Sequence, residues 1–177
     1  ATMTICPIMV SVSVNAINAL MKQVSLRADF DFLTQVYSRS GLYELLRQQE
    51  KINHAPRPMS VMLLDIDYFK TINDNYGHEC GDKILTAVAQ KVQQVVGNAG
   101  NVARMGGEEV VVVLPDTGLD AAYAVAERIR ERVEAEPFAI HNNSRAIPIT
   151  VSIGVASRRA GDASPAEIMK RAGGALY

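Results

Sequence analysis

The stretch Asn101-Val102-Ala103-Arg104-Met105-Gly106-Gly107-Glu108-Glu109-Val110-Val111-Val112-Val113-Leu114 sets two strand-like segments around a pair of glycines. Glycine reaches positive φ without steric penalty, so Gly106-Gly107 between 101–105 and 109–114 is a hairpin signal. A lone hairpin is marginal in water and needs partners to cover it. The flanking sequence supplies them.

Upstream, 60–67 is an apolar run, Val61-Met62-Leu63-Leu64, that closes on Asp65-Ile66-Asp67 and reads as a buried central strand. A polar stretch containing Asn and Gly follows to Gly81. Ile84, Leu85, Val88, Val92, Val95 and Val96 then recur at helical spacing, as do Leu119, Ala122, Ala126, Ile129 and Val133 beyond the hairpin. Val151, Ile153 and Val155 alternate as in a half-buried strand. Residues 40–50 form a short helix, and His54 to Pro58 a loop punctuated by proline. Ser164-Pro165-Ala166-Glu167 is a capping box with Pro at the first helical position, opening a last helix. The order β-α-β-β-α-β, plus extra elements, predicts an α/β (α+β) fold. Its form is a ferredoxin-like palm, with a central, mainly antiparallel sheet flanked by helices.

The chain has 177 residues, which suits one domain and a short appendage. A chain of this length buries roughly 70% of its unfolded surface and needs no staples. Its 18 basic and 19 acidic residues leave a net charge of −1, with no Lys/Arg stripe, so nucleic acid is not an expected partner. The two cysteines, Cys6 and Cys80, have no metal-ligand spacing and read as free thiols in a reducing compartment.

Residues 1–28 stand apart from the domain expected over 29–177. No charge occurs before Lys22, yet Pro7, Ser11, Ser13, Asn15 and Asn18 interrupt the apolar run that a spanning helix needs. Val10, Val14, Ile17, Met21, Val24 and Ala28 repeat as a heptad seam of about two and a half repeats. A dimerising stalk, a membrane-proximal remnant and a packing helix all fit this segment. The chain reads as a fragment whose parent carries an upstream sensor or membrane domain, with this part cytoplasmic and the parent anchored in the inner membrane as one option.

The chemistry lies in two acidic sites. Asp65 and Asp67 share a face of the first strand, and Asp67 precedes Tyr68-Phe69-Lys70 as a helix N-cap would. A carboxylate ending a buried strand is costly to ionise without a cation, so Asp65 is the candidate metal ligand. Glu108 and Glu109, directly after the hairpin glycines, repel each other unless a divalent cation relieves them. Neighbouring palm strands would bring Glu108 beside Asp65, where metal ions could clamp a triphosphate for in-line attack. A solvated hairpin tip remains the bland alternative. An EF-hand fails because Phe69, Lys70 and Tyr76 stand where acids and Gly are needed, and no Walker motif is present.

Several motifs in order resemble the GGDEF domain of diguanylate cyclases, from about Asp29 to the end. They are Asp31-Phe32-Leu33-Thr34 with Arg39, the run from Asp65 to Asp74, Tyr76-Gly77-His78 and Gly81-Asp82. Arg104-Met105-Gly106-Gly107-Glu108-Glu109, Ser152-Ile153-Gly154-Val155 and Ala175-Leu176-Tyr177 complete the series. The resemblance implies a fold similar to the nucleotidyl cyclase and polymerase palm. It implies condensation of two GTP to cyclic di-GMP and pyrophosphate across a homodimer, with a pair of Mg²⁺ ions per site and Mn²⁺ as a substitute. Asp65, the Ile66 carbonyl and Glu108 would bind metal, and Glu109 would assist or take the 3′-hydroxyl proton. Tyr68, Phe69 and Lys70 at a helix start would hold phosphates, alongside the Gly106-Gly107 turn. Asn73 and Asp82 would read guanine. For Asp82 the chemistry agrees independently, since a carboxylate accepts from guanine N1–H and N2–H₂ whereas adenine N1 is an acceptor. A turn role for Asn73 and an N-cap role for Asp82 are the structural alternatives, and His78 reads as structural.

The pattern also departs from the family. Its Arg-x-x-Asp product-inhibition motif is replaced by Gly97-Asn98-Ala99-Gly100, so feedback through that site is not expected. Gln35 and Val110 stand where Gly and Phe are usual, and Gly173 where Asp is common. Basic residues that follow Ala-Leu-Tyr in the family and contact the triphosphate have no assignable counterpart. A GTP-binding regulatory module without turnover is the alternative function, and a dimerisation scaffold a further one.

Overall fold

The computed structural model describes residue 17 and residues 29–52, 57–140 and 145–176. Of the heptad seam only Ile17 falls within them, and it is helical and exposed. The rest of the seam, Cys6, His54 and Tyr177 lie outside the described residues.

Five strands form the main sheet: β1 (Tyr37–Ser38), β2 (Met59–Ile66), β3 (Asn101–Gly106), β4 (Glu109–Pro115) and β7 (Val151–Ser157), in the order β1-β3-β4-β2-β7. β3 pairs with β4, β4 with β2 and β2 with β7, all antiparallel, while the two-residue β1 runs parallel to β3. Without β1 this is the palm expected from sequence. A second hairpin, β5 (Phe138–Ile140) with β6 (Arg145–Ile147), stands outside it. These segments and β1 are too short to show a period-2 pattern, and none was expected.

The helices are α1 (Arg39–Ile52), α2 (Phe69–Tyr76), α3 (His78–Val96), α4 (Leu119–Glu134) and α5 (Pro165–Leu176). Strand side chains alternate between faces, and both faces of this sheet are covered. Met62, Leu64, Ile66, Val110 and Val112 pack with Ile72, Ile84, Val88, Ala126 and Ile129 of α2, α3 and α4. Val61, Val111 and Val113 pack with Leu42 and Leu46 of α1 and Ile168 and Ala172 of α5. Burial on both sides explains why β2 and β4 read as continuous apolar runs rather than alternating ones. Val110 belongs to this core, where its smaller side chain changes packing and not chemistry.

Several local expectations change. The polar stretch after Asp67 is helical over Phe69–Tyr76, because Ile72 gives it one buried contact and Gly77, at φ 85°, turns the chain into α3. Asp82 is exposed inside α3 rather than at its cap, which is Gly77. Glu167 reaches back as a capping box requires, but its carboxylate accepts from the Ala163 N–H at 2.9 Å. Gln35 sits at φ 61°, a left-handed conformation that accounts for a preference for Gly there.

Candidate active site

The C-terminal end of β2 and the β3–β4 turn form one corner of the sheet. β2 and β4 pair from Met59↔Pro115 through Leu64↔Val110. Asp65 and Ile66 follow Leu64 at the end of β2, Glu109 precedes Val110 at the start of β4, and Glu108 lies in the turn between β3 and β4. The sequence expected Glu108 beside Asp65, and the antiparallel β2–β4 pairing brings the end of β2 to the turn that carries Glu108. The four residues expected at the metal site therefore lie at the end of β2 and at the β3–β4 turn, on neighbouring strands of the sheet. Asp65, Glu108 and Glu109 are half-buried.

The turn itself uses its glycines. Gly106 has φ 149° and Gly107 φ 52°, and a Cβ added to either would meet nothing within 4 Å. Backbone conformation, not crowding, selects Gly at both positions. Arg104 braces the turn from behind: its Nε donates to the Gly107 carbonyl at 3.0 Å, and its Nη1 donates to the Asp31 carboxylate at 3.2 Å. Asp31 also accepts from the Thr34 backbone N–H at 2.8 Å and the Thr34 hydroxyl at 2.7 Å. Burial would raise the Asp31 pKa, but the Thr34 donors and the Arg104 guanidinium outweigh it and hold the carboxyl below its usual range. Asp31 and Arg104 were legible as motif residues; their mutual contact was not.

Asp67 is not the N-cap of α2. That position is Tyr68, at φ 57°, with no side-chain cap bond. The Asp67 carboxylate instead accepts from the Thr150 and Ser152 hydroxyls. The sequence missed this because the donors lie across a strand pairing that local spacing does not reveal.

Asn73 lies in α2, half-buried, and its Oδ1 is buried without a hydrogen-bond partner. Gly81 makes room for it, since a Cβ there would lie 1.9 Å from Asn73 Oδ1. An orphaned buried acceptor calls for a donor that the chain does not supply. Tyr68, Lys70 and Asp82 are exposed, and Phe69 is half-buried. His78 is exposed at the start of α3, with no contact that gives it a catalytic place.

Among the described residues, no three His, Cys, Asp or Glu side chains form a metal-holding group. The donors at the corner are carboxylates and one main-chain carbonyl. That oxygen-only set fits Mg²⁺, which takes one or two carboxylates and completes its shell with water and substrate phosphates. No described helix is long and apolar enough to cross a membrane.

A family model described as "Diguanylate cyclase, GGDEF domain" matches residues 28–177. The chain is 59% identical over 160 residues to the probable diguanylate cyclase DgcF of Escherichia coli K12, covering 90% of this chain and 50% of that protein. It thus spans about half the length of that curated relative. The coiled coil and GGDEF domain of DgcB from Caulobacter crescentus, solved in complex with c-di-GMP, superposes with a TM-score of 0.83 at 30% identity, covering 94% of this chain and 88% of that one. An active GGEEF domain of a diguanylate cyclase from Vibrio cholerae gives 0.62 at 35% identity, covering 78% and 82%.

Proposed function

The chain belongs to the GGDEF domain family of diguanylate cyclases, and from that premise we propose that it condenses two GTP into cyclic di-GMP and two pyrophosphates. The observation that carries the reading is the β2–β4 pairing, which brings the end of β2, with Asp65 and Ile66, to the turn with Glu108 and Glu109. The orphaned Asn73 Oδ1 supports guanine as the base.

Asp65, the Ile66 carbonyl and Glu108 would hold Mg²⁺, with Glu109 assisting. Bound Mg²⁺ supplies charge neutralisation at the triphosphate during in-line attack. The backbone N–H groups at the start of α2, with Lys70, bind the phosphates and orient the α-phosphorus. Asn73 Oδ1 accepts from the guanine edge, and the exposed Asp82 carboxylate closes on N1–H and N2–H₂. A site that binds one GTP cannot by itself bring a 3′-hydroxyl to a second α-phosphorus, so the reaction needs two copies of the domain. The seam through Val10, Ile17 and Met21 is the segment suited to pair them, and the related DgcB carries a coiled coil beside its GGDEF domain. Gly97 and Gly100 offer no side chain to retain the product, so the domain runs without feedback at that position.

Incubation with GTP and Mg²⁺, followed by chromatography of the nucleotides, tests this. Cyclic di-GMP should form with wild type and be lost with Glu108→Ala. GTP binding without pyrophosphate release would replace the proposal with a non-catalytic regulatory module, and no GTP binding at all with a scaffold.

A further inference from the structure

Thr150 Oγ1 donates to Asp67 Oδ2 at 2.6 Å, and Ser152 Oγ donates to Asp67 Oδ1 at 2.6 Å. Both lengths lie in the range of strong hydroxyl-to-carboxylate bonds. The Asp67 backbone N–H donates in turn to the Thr150 carbonyl at 3.0 Å. Three bonds therefore tie this one residue to the start of β7, and both carboxylate oxygens are engaged.

Its place in the chain gives this consequence. On one side is Ile66, whose carbonyl, opposite the Asp67 N–H across a trans peptide, points away from β7. On the other is Tyr68, in a left-handed conformation at φ 57° with its side chain 83% exposed. No packing of the Tyr68 ring holds that conformation, and strained backbone persists only where neighbours over-determine it. The Asp67 bonds precede it directly, and the Tyr68 carbonyl then accepts the Ile72 N–H at 3.0 Å, which begins α2. Ser152 is moreover the register partner of Asp65 across β2 and β7, so the same donor strand runs alongside both acids.

We propose that Asp67, with Thr150 and Ser152, is a positioning clamp that sets the backbone of 66–70 and so aims the α2 N-terminus at the triphosphate and the Ile66 carbonyl at the position a metal ion would take. Asp67 touches neither metal nor nucleotide; it acts through the residues on either side. The inference rests on the cyclase reading of the site.

The test uses Asp67→Ala, Asp67→Asn, Thr150→Val and Ser152→Ala in the full chain. Amide exchange is followed at Asp67 and Ile72 in the ligand-free protein, and KM and kcat for GTP with Mg²⁺. Asp67→Ala should speed exchange at both amides and raise KM at least about tenfold, within the range that small misplacements of a bound group produce, with kcat changed less than about threefold. Asp67→Asn, which keeps one acceptor oxygen, should recover part of the KM. If Asp67→Ala does not fold, Thr150→Val and Ser152→Ala each remove one donor from an exposed position and should shift KM in the same direction. Unchanged exchange, or a KM that stays at the wild-type value while kcat falls only in step with thermal stability, overturns the clamp. If wild type makes no cyclic di-GMP, the cyclase reading fails by itself, and exchange with the binding of 3′-deoxy-GTP, which lacks the attacking hydroxyl, still decides the clamp.

Discussion

Gly81→Ala isolates the contact on which base recognition depends. An ideal Cβ at this position lies 1.9 Å from Asn73 Oδ1, 2.9 Å from Asn73 Cγ and 3.3 Å from Phe69 Cζ. Ordinary non-bonded contacts to carbon begin at about 3.5 Å, so the Asn73 amide must swing away by more than about 1 Å. The helix itself gains from the change, since Ala is favoured over Gly by about 1 kcal/mol in a helix interior. The protein should therefore fold with little change in thermal midpoint while losing one directed hydrogen bond to guanine. Losing such a bond costs about 1–3 kcal/mol, or roughly 5- to 150-fold in KM for GTP at 1.4 kcal/mol per decade. Discrimination against ATP should fall by a similar factor. Initial rates of cyclic di-GMP formation against GTP concentration, with ATP as competitor, measure both. Adding Asn73→Ala to Gly81→Ala should cost little more, because both remove the same contact. An unchanged KM for GTP, or full additivity of the two substitutions, would refute the reasoning.

Two further outcomes follow from the same structure. Asp31→Asn should weaken the protein by about 1–3 kcal/mol at neutral pH, as loss of hydrogen bonds to a charged group does. Because the folded Asp31 pKa is lowered, its contribution is complete above the unfolded carboxylate value of about 3.9 and fades as pH falls through the lower folded value. Urea titrations from pH 7 downward should thus show the gap between wild type and Asp31→Asn closing below about pH 4; a gap constant to acid pH would remove the Arg104 and Thr34 contacts as its cause. Gly173→Ala should stabilise by about 0.5–1 kcal/mol, since a Cβ there meets only Leu63 Cδ2, at 3.4 Å. Chemical denaturation measures it, and a loss of stability would mean that the Leu63 end cannot yield.

Gly173 shows what local sequence discloses well: it breaks a helical pattern, and it is found inside α5 with space above it. Gln35 is similar, a position where a motif expects Gly and the backbone is left-handed. The start of the helix over 69–76 was legible but not its extent, because one buried residue, Ile72, is too little to show a period. The Asp82 cap failed for a related reason: helix starts depend on where the chain can turn, and Gly77 allows that one turn earlier.

By itself the sequence determined the palm order, the two acidic sites and the glycines that turn β3 into β4. Periodicity and backbone freedom are properties of consecutive residues, and they survive without a fold. Only tertiary structure decided that the two acidic sites share a corner, since the β2–β4 pairing brings the end of β2 to the β3–β4 turn. It also gave Asp67 to hydroxyls 83 and 85 residues away, and joined Arg104 to Asp31 across 73. Such pairings depend on how strands align in space, and no short-range spacing encodes that alignment.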